Sequence, residues 1–176
     1  MRVFQSLVCA VVLAAAGLSA SQAAAPAPTK PVELQRYVGR WYEVARVPNR
    51  FENGSGCEAP TADYHQDDKG EVTVVQTCHQ HSPTGPKKTY HATAQILDPG
   101  ANAKFRLTFY LVLSVDYWVI DHADDYRWAI VGDPKGQYVW LFSRQPETSA
   151  EMKNALVARA RTLGYDVHKL EFPPQG

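Results

Sequence analysis

Tyr126-Arg127-Trp128-Ala129-Ile130-Val131-Gly132-Asp133-Pro134-Lys135-Gly136-Gln137-Tyr138-Val139-Trp140-Leu141-Phe142-Ser143-Arg144 is the stretch on which the fold turns. Two runs rich in aromatic and β-branched residues, Tyr126 to Val131 and Gln137 to Arg144, flank Asp133-Pro134-Lys135-Gly136. Such runs favour strands, and Asp, Pro and Gly between them supply the dihedrals of a turn, so the stretch reads as a β-hairpin. Within it Tyr138, Trp140 and Phe142 share one face, because side chains alternate along a strand.

Upstream the same grammar repeats. Lys104 to Leu113 and Tyr117 to His122 precede the hairpin, and Asp98-Pro99-Gly100-Ala101-Asn102 turns the chain out of Lys88 to Leu97. Ala62 to His65 and Glu71 to Cys78 flank Asp67-Asp68-Lys69-Gly70, and Arg40 to Val47 ends at Pro48-Asn49. Strands at hairpin spacing with no helix between them predict an antiparallel meander, either a closed barrel or a sandwich. After Arg144 the period changes. Thr148 with Glu151 forms a capping box, Met152, Ala155, Leu156, Ala160 and Leu163 recur at helical spacing, and Gly164 ends the helix. Its apolar stripe is expected on the outer wall of the strand domain, and Val167 to Phe172 reads as a short final strand.

Composition narrows the function. The chain has 176 residues, with 18 Lys and Arg against 18 Asp and Glu, and is 45% hydrophobic. Zero net charge argues against a nucleic-acid partner, and no phosphate-binding loop or nucleophile-elbow pattern occurs. Met1 and Arg2 open a basic start, Leu7 to Leu18 form an apolar run, and Ser21 and Ala23 fit a signal-peptidase site. The run is shorter than the ~20 residues a membrane-spanning helix needs. Residues 1–23 are therefore expected to be a cleaved signal peptide, 24–31 an extended, disordered Pro-rich arm, and 32–173 the folded domain, exported to periplasm or medium. Cys9 lies inside the apolar run behind Leu7 and Val8, where lipid anchoring would need a small residue, so no anchor is expected.

Three motifs carry a resemblance. Gly39-Arg40-Trp41-Tyr42-Glu43-Val44-Ala45 resembles the Gly-x-Trp signature of lipocalins, and Arg46 to Gly54 is similar to the bacterial lipocalin and apolipoprotein D branch. Asp124-Asp125-Tyr126-Arg127-Trp128-Ala129 falls where the second family motif lies, and Val139 to Pro146 matches the third, whose mark is Arg144. The resemblance makes 32–173 a lipocalin domain and implies an all-β fold: an eight-stranded antiparallel up-and-down lipocalin barrel with one C-terminal α-helix packed on its outside. It implies that Trp41 plugs the closed end beneath Gly39 and that the Arg144 guanidinium stacks on it, a structural pair. It also implies a binding protein, not an enzyme, without cofactor. Its partner would be a small hydrophobic ligand such as a fatty acid or lysophospholipid, with peripheral membrane contact and a monomeric or weakly dimeric state.

Carrying the alternation through gives an inward set of Phe105, Leu107, Phe109, Tyr117, Val119, Trp128, Ile130, Tyr138, Trp140 and Phe142 as cavity lining, with Glu43 and Ala45 on the first strand. Pattern alone leaves open whether these aromatics fill the barrel or line a ligand pocket. Glu43 is expected near the closed end with a hydrogen-bonded partner. Tyr110 to Asp116, without Pro or Gly, reads as an apolar loop that narrows the pocket or presents a sticky surface. Cys57 and Cys78 fall nearly opposite one another across the hairpin centred on Asp68, within disulfide reach, and an exported protein meets oxidising conditions. The alternative is a free nucleophilic Cys, which would favour an enzyme built on the barrel. Cys78-His79 with His81 reads as strand-end residues rather than a metal site, since no fourth ligand stands at a conventional spacing. Arg50, Lys87 and Lys88 are loop cations available to an anionic head group.

Overall fold

The computed structural model describes residues 25–49 and 56–175. The leader reading of residues 1–23 and the cation Arg50 lie outside them. Eight strands, β1 (Gly39–Arg46), β2 (Cys57–Gln66), β3 (Val72–Gln80), β4 (Lys87–Ile96), β5 (Lys104–Phe109), β6 (Leu113–His122), β7 (Trp128–Gly132) and β8 (Val139–Ser143), pair in sequence order, and β8 returns to β1. The meander is thus a closed antiparallel barrel. A short helix α1 (Leu34–Tyr37) precedes it and α2 (Ala150–Thr162) follows.

Aspartates organise three of the turns. Asp67 accepts from the backbone N–H of Lys69 and Glu71 at 2.9 and 2.8 Å. Asp98 accepts from that of Lys104 at 2.8 Å, and Asp133 from those of Lys135 and Tyr138 at 3.1 and 2.7 Å. A short carboxylate that satisfies turn N–H groups is what makes Asp a turn residue. The β5–β6 connection has no such help. Tyr110 and Leu111 carry φ of 50° and 63°, and the Val112 N–H donates to the Phe109 carbonyl at 3.1 Å, a type I′ turn built from bulky side chains inside the three-residue connection 110–112. The expected apolar loop is therefore this tight turn, and β6 starts at Leu113.

The core divides in two. Inside the barrel Trp41, Tyr64, Val74, Phe105, Leu107 and Val119 pack with Tyr37 of α1. Outside it Val44, Ile120, Ile130, Val139 and Leu141 pack on Leu156 and Ala160 of α2. The expected helix stripe is thus where it should be, although the N-cap is Ser149, whose Oγ accepts from the Met152 N–H, rather than Thr148.

Two inward assignments on β7 and one on β1 do not hold. Val131 stands opposite Trp140, and Ile130 opposite Leu141, so Val131 and Ala129 point inward while Ile130 and Trp128 pack outward toward α2. On β1 the register shifts between Glu43 and Ala45, and this bulge turns Ala45 outward. One extra residue in a strand reverses the face of all that follow it.

Residues 25–31, where the prolines suggested a loose arm, are tied down. Thr29 N–H donates to the Ile120 carbonyl at 2.8 Å, and Thr29 Oγ1 to Asp121 at 2.6 Å. At the other terminus the expected final strand is a 3-10 turn, Val167–Lys169, followed by a single bridge between Glu171 and Arg46. β1 pairs with β2 only from Gly39 to Tyr42. Beyond that point Glu171 exchanges two backbone bonds with Arg46, and the Pro174 carbonyl accepts from Ala59 N–H at 2.9 Å. Segment 171–175 therefore covers the gap between β1 and β2.

Candidate ligand cavity

One end of the barrel is shut. The Arg144 guanidinium lies 3.7 Å from the centroid of the fully buried Trp41 ring. It donates to the carbonyls of Arg36, Tyr37, Val38 and Arg40 at 2.8 to 3.0 Å, while Trp41 Nε1 donates to that of Tyr37 at 2.9 Å. Gly39 has φ of 96°, and a Cβ there would meet Arg144 Nη1 at 3.3 Å. The glycine of the first motif thus exists to let the guanidinium in. Above Trp41, Tyr37 stacks on Phe105 and meets Tyr64 edge-on, filling the lower half of the barrel with rings. Burial pushes the Tyr37 phenol well above its usual value, with Tyr64 adding to it, and pushes Tyr64 up to about 12. Both phenols are therefore neutral throughout the physiological range.

The other half holds a cavity of about 770 Å³ that opens toward the 110–113 and 133–138 turns. Phe109, Tyr117, Tyr138, Trp140 and Phe142 line it, with Tyr117 stacked on Trp140 at 4.8 Å. Phe105, Leu107 and Val119 face inward as expected but belong to the packed lower half. Trp128 and Ile130 are outside the barrel altogether. The alternation of β5, β6 and β8 was thus enough to find this wall. The opposite wall, with Thr61, Ala62, Gln76 and Tyr90, comes from β2 to β4, whose regular alternation carries the same signal.

Glu43 reaches this cavity rather than the closed end, and it is buried. Its Oε1 accepts from Arg46 Nη1 at 2.7 Å, and Arg46 Nη2 donates to the Cys57 carbonyl at 3.2 Å. The β1 bulge makes this possible by bringing two residues three apart onto the same side. A buried carboxylate and guanidinium so paired leave the wall formally neutral. Cys57 and Cys78 form the expected disulfide, Cα to Cα 5.3 Å, and both line the cavity. Pairing them removes the free thiol that a nucleophilic reading required. His79 Nδ1 lies 2.9 Å from the Gly85 carbonyl, a strand-end contact.

A closed eight-stranded barrel with a Trp–Arg plug at one end and an apolar cavity at the other agrees with the family comparison. The family model described as a lipocalin-like domain matches residues 32–175. The chain belongs to the lipocalin family. The "Outer membrane lipoprotein Blc" of Citrobacter freundii is 34% identical over 156 residues, covering 85% of this chain and 86% of that one. "Temperature-induced lipocalin-1" of Arabidopsis thaliana is 32% identical over 154 residues, 83% and 81% of the two chains. Among solved structures, insecticyanin from the tobacco hornworm Manduca sexta superposes with a TM-score of 0.66 at 20% identity, over 86% of this lipocalin and 84% of that chain. That likeness concerns the fold. Lipocalins as a family bind small hydrophobic ligands.

Proposed function

We propose that this lipocalin is an exported, non-enzymatic carrier of a single-chain amphiphile, a fatty acid or lysophospholipid, held without a cofactor. The observation that carries the reading is the half-filled barrel: rings pack the lower half, and about 770 Å³ of mostly apolar space is left above them. An acyl chain enters past Tyr110 and Leu113 and lies against Phe109, Tyr117 and Trp140, while its head group stays at the mouth near Lys135. At ~0.8 kcal/mol per buried methylene, a dozen methylenes contribute roughly 10 kcal/mol gross. Immobilisation costs of ~4 kcal/mol or more bring the net toward micromolar affinity. Cleavage after Ala23 without a lipid anchor, the disulfide, and a monomeric or weakly dimeric state complete the reading.

Native mass spectrometry of protein purified without delipidation, then titrated with fatty acid and lysophospholipid, tests it. A saturable one-to-one adduct is expected, lost on Trp140→Arg or Phe109→Arg. No adduct with either amphiphile defeats the carrier reading.

A further inference from the structure

The two walls of the cavity differ in chemistry. β5, β6 and β8 contribute Phe109, Tyr117, Trp140 and Phe142, a surface of rings suited to an acyl chain. β3 and β4 contribute Gln76 and Tyr90. Both point inward, for Gln76 shares a face with Val74 and Tyr90 with Ala92, and Val74 and Ala92 belong to the packed lower half. Each is the next inward residue above that packing, so the two stand at the floor of the open space rather than at its mouth. They are direct cross-strand partners, and on its other flank Gln76 faces Ala62, too short to cover an amide. Among the described residues no hydrogen bond reaches the Gln76 amide or the Tyr90 hydroxyl, from one another or from any other group. Such groups discriminate between cargoes. In a cavity without cargo water satisfies them, and a plain acyl chain pressed against them removes that water and returns nothing.

The geometry points to an acyl chain oxygenated on its buried half as the cargo class, with a hydroxyl or keto oxygen set between Gln76 and Tyr90. The inference deepens the carrier reading and rests on it. An amide offers a donor and an acceptor, and a phenol does the same, so the pair serves either kind of oxygen. That oxygen is uncharged. Among the described residues lining the cavity the one cation is Lys135, at the mouth. Glu43 also faces the cavity, and its carboxylate takes the Arg46 guanidinium at 2.7 Å. A second carboxylate on the cargo would thus be buried beside a negative group whose cation is already engaged. The same cost excludes an inverted amphiphile with its charged head on the floor. The charged end therefore stays at the mouth, and the polar group that reaches Gln76 and Tyr90 is neutral.

Isothermal titration calorimetry with oleate and with ricinoleate, both below their micelle concentrations, tests the inference on the delipidated chain as recovered from an exporting host. The two acids differ by one hydroxyl on the inner half of the chain. Ricinoleate is expected to bind about tenfold tighter. Gln76→Leu and Tyr90→Phe should each cut that ratio about threefold, by weakening ricinoleate and strengthening oleate, and the double variant should bring it to about one. Tyr90→Phe removes a single oxygen and keeps the ring, so it carries the test if Gln76→Leu does not fold. Equal affinities in the wild type, tighter binding of oleate, or a preference undiminished in Tyr90→Phe overturn the inference and leave the carrier reading standing. Binding of neither acid defeats the carrier reading, and the inference falls with it.

Discussion

Replacing Arg144 by Lys separates what the closed end does for the fold from what the cavity does for the ligand. The guanidinium serves the carbonyls of Arg36, Tyr37, Val38 and Arg40 and lies on the Trp41 ring. It also reaches the Tyr126 carbonyl at 3.3 Å. An ammonium keeps the charge but offers three donors from one point and cannot lie flat on an indole. The carbonyls of Arg36 and Arg40 are solvent-exposed and regain water, and Tyr37 keeps the bond from Trp41 Nε1. The loss therefore concentrates on the stacking, at ~1 kcal/mol, and on one or two charge-assisted bonds at ~1 kcal/mol each. Arg144→Lys should destabilise the fold by about 3 kcal/mol, a fall in Tm of roughly 6–12 °C for a domain of this size. Thermal unfolding by circular dichroism measures it, and native mass spectrometry at 20 °C should find amphiphile affinity unchanged. A Tm within a degree of wild type would show that the fork and the stack contribute little. A tenfold loss of affinity in the folded variant would refute the separation of plug and cavity.

Three further outcomes follow from single features. Tyr110→Asn with Leu111→Gly gives the type I′ turn the residues it favours and should stabilise the fold by ~2 kcal/mol, read as a raised midpoint in urea unfolding. Burial pushes the Asp121 carboxyl up, but hydrogen bonds from Thr29 and Arg159 outweigh it and hold the group below its usual range. A folded-state value below the unfolded one stabilises above the unfolded value and is lost as pH falls through the folded one. Asp121→Asn should therefore flatten the acid limb of stability below about pH 4, measured as urea midpoint against pH. Opening the Cys57–Cys78 bridge with Cys57→Ser and Cys78→Ser should cost ~3 kcal/mol, because the bond closes a loop of 21 residues. The same urea titration reads this loss, and an unchanged midpoint would mean the bridge constrains little.

The meander was legible because its turns are written in Asp, Gly and Pro, whose chemistry is local. The inward faces of β5, of β8 and of β6 as far as Val119 were legible because alternation survives wherever a strand runs without a bulge, and the register of β6 shifts only beyond Val119. Closure was not. Nothing along the chain says that β8 pairs with β1, and only the likeness of Gly39-Arg40-Trp41 and Arg144 to a known family supplied it. The misplaced residues have one cause. Ile130, Trp128 and Ala45 sit where the face depends on a cross-strand register set by a turn or a bulge, which single-strand alternation does not contain. Glu43 was correctly expected to need a partner. That the partner is Arg46 followed from the same unseen bulge. The β5–β6 turn hid for the opposite reason, since its residues argue against the conformation they adopt.

Segment 171–175 fixes the order in which this molecule can be finished. β1 leaves the ribosome early, yet Arg46 waits for Glu171 to bridge it, and the Glu43 carbonyl waits for Gln175, 132 positions later. The opposite flank of β1 waits for β8. The barrel therefore has no partial version in which its first strand is satisfied on both sides. Until β8 has been made and can pair with β1 the sheet stays an open ribbon of hairpins, and a ribbon can still be threaded through a narrow pore where a closed barrel cannot.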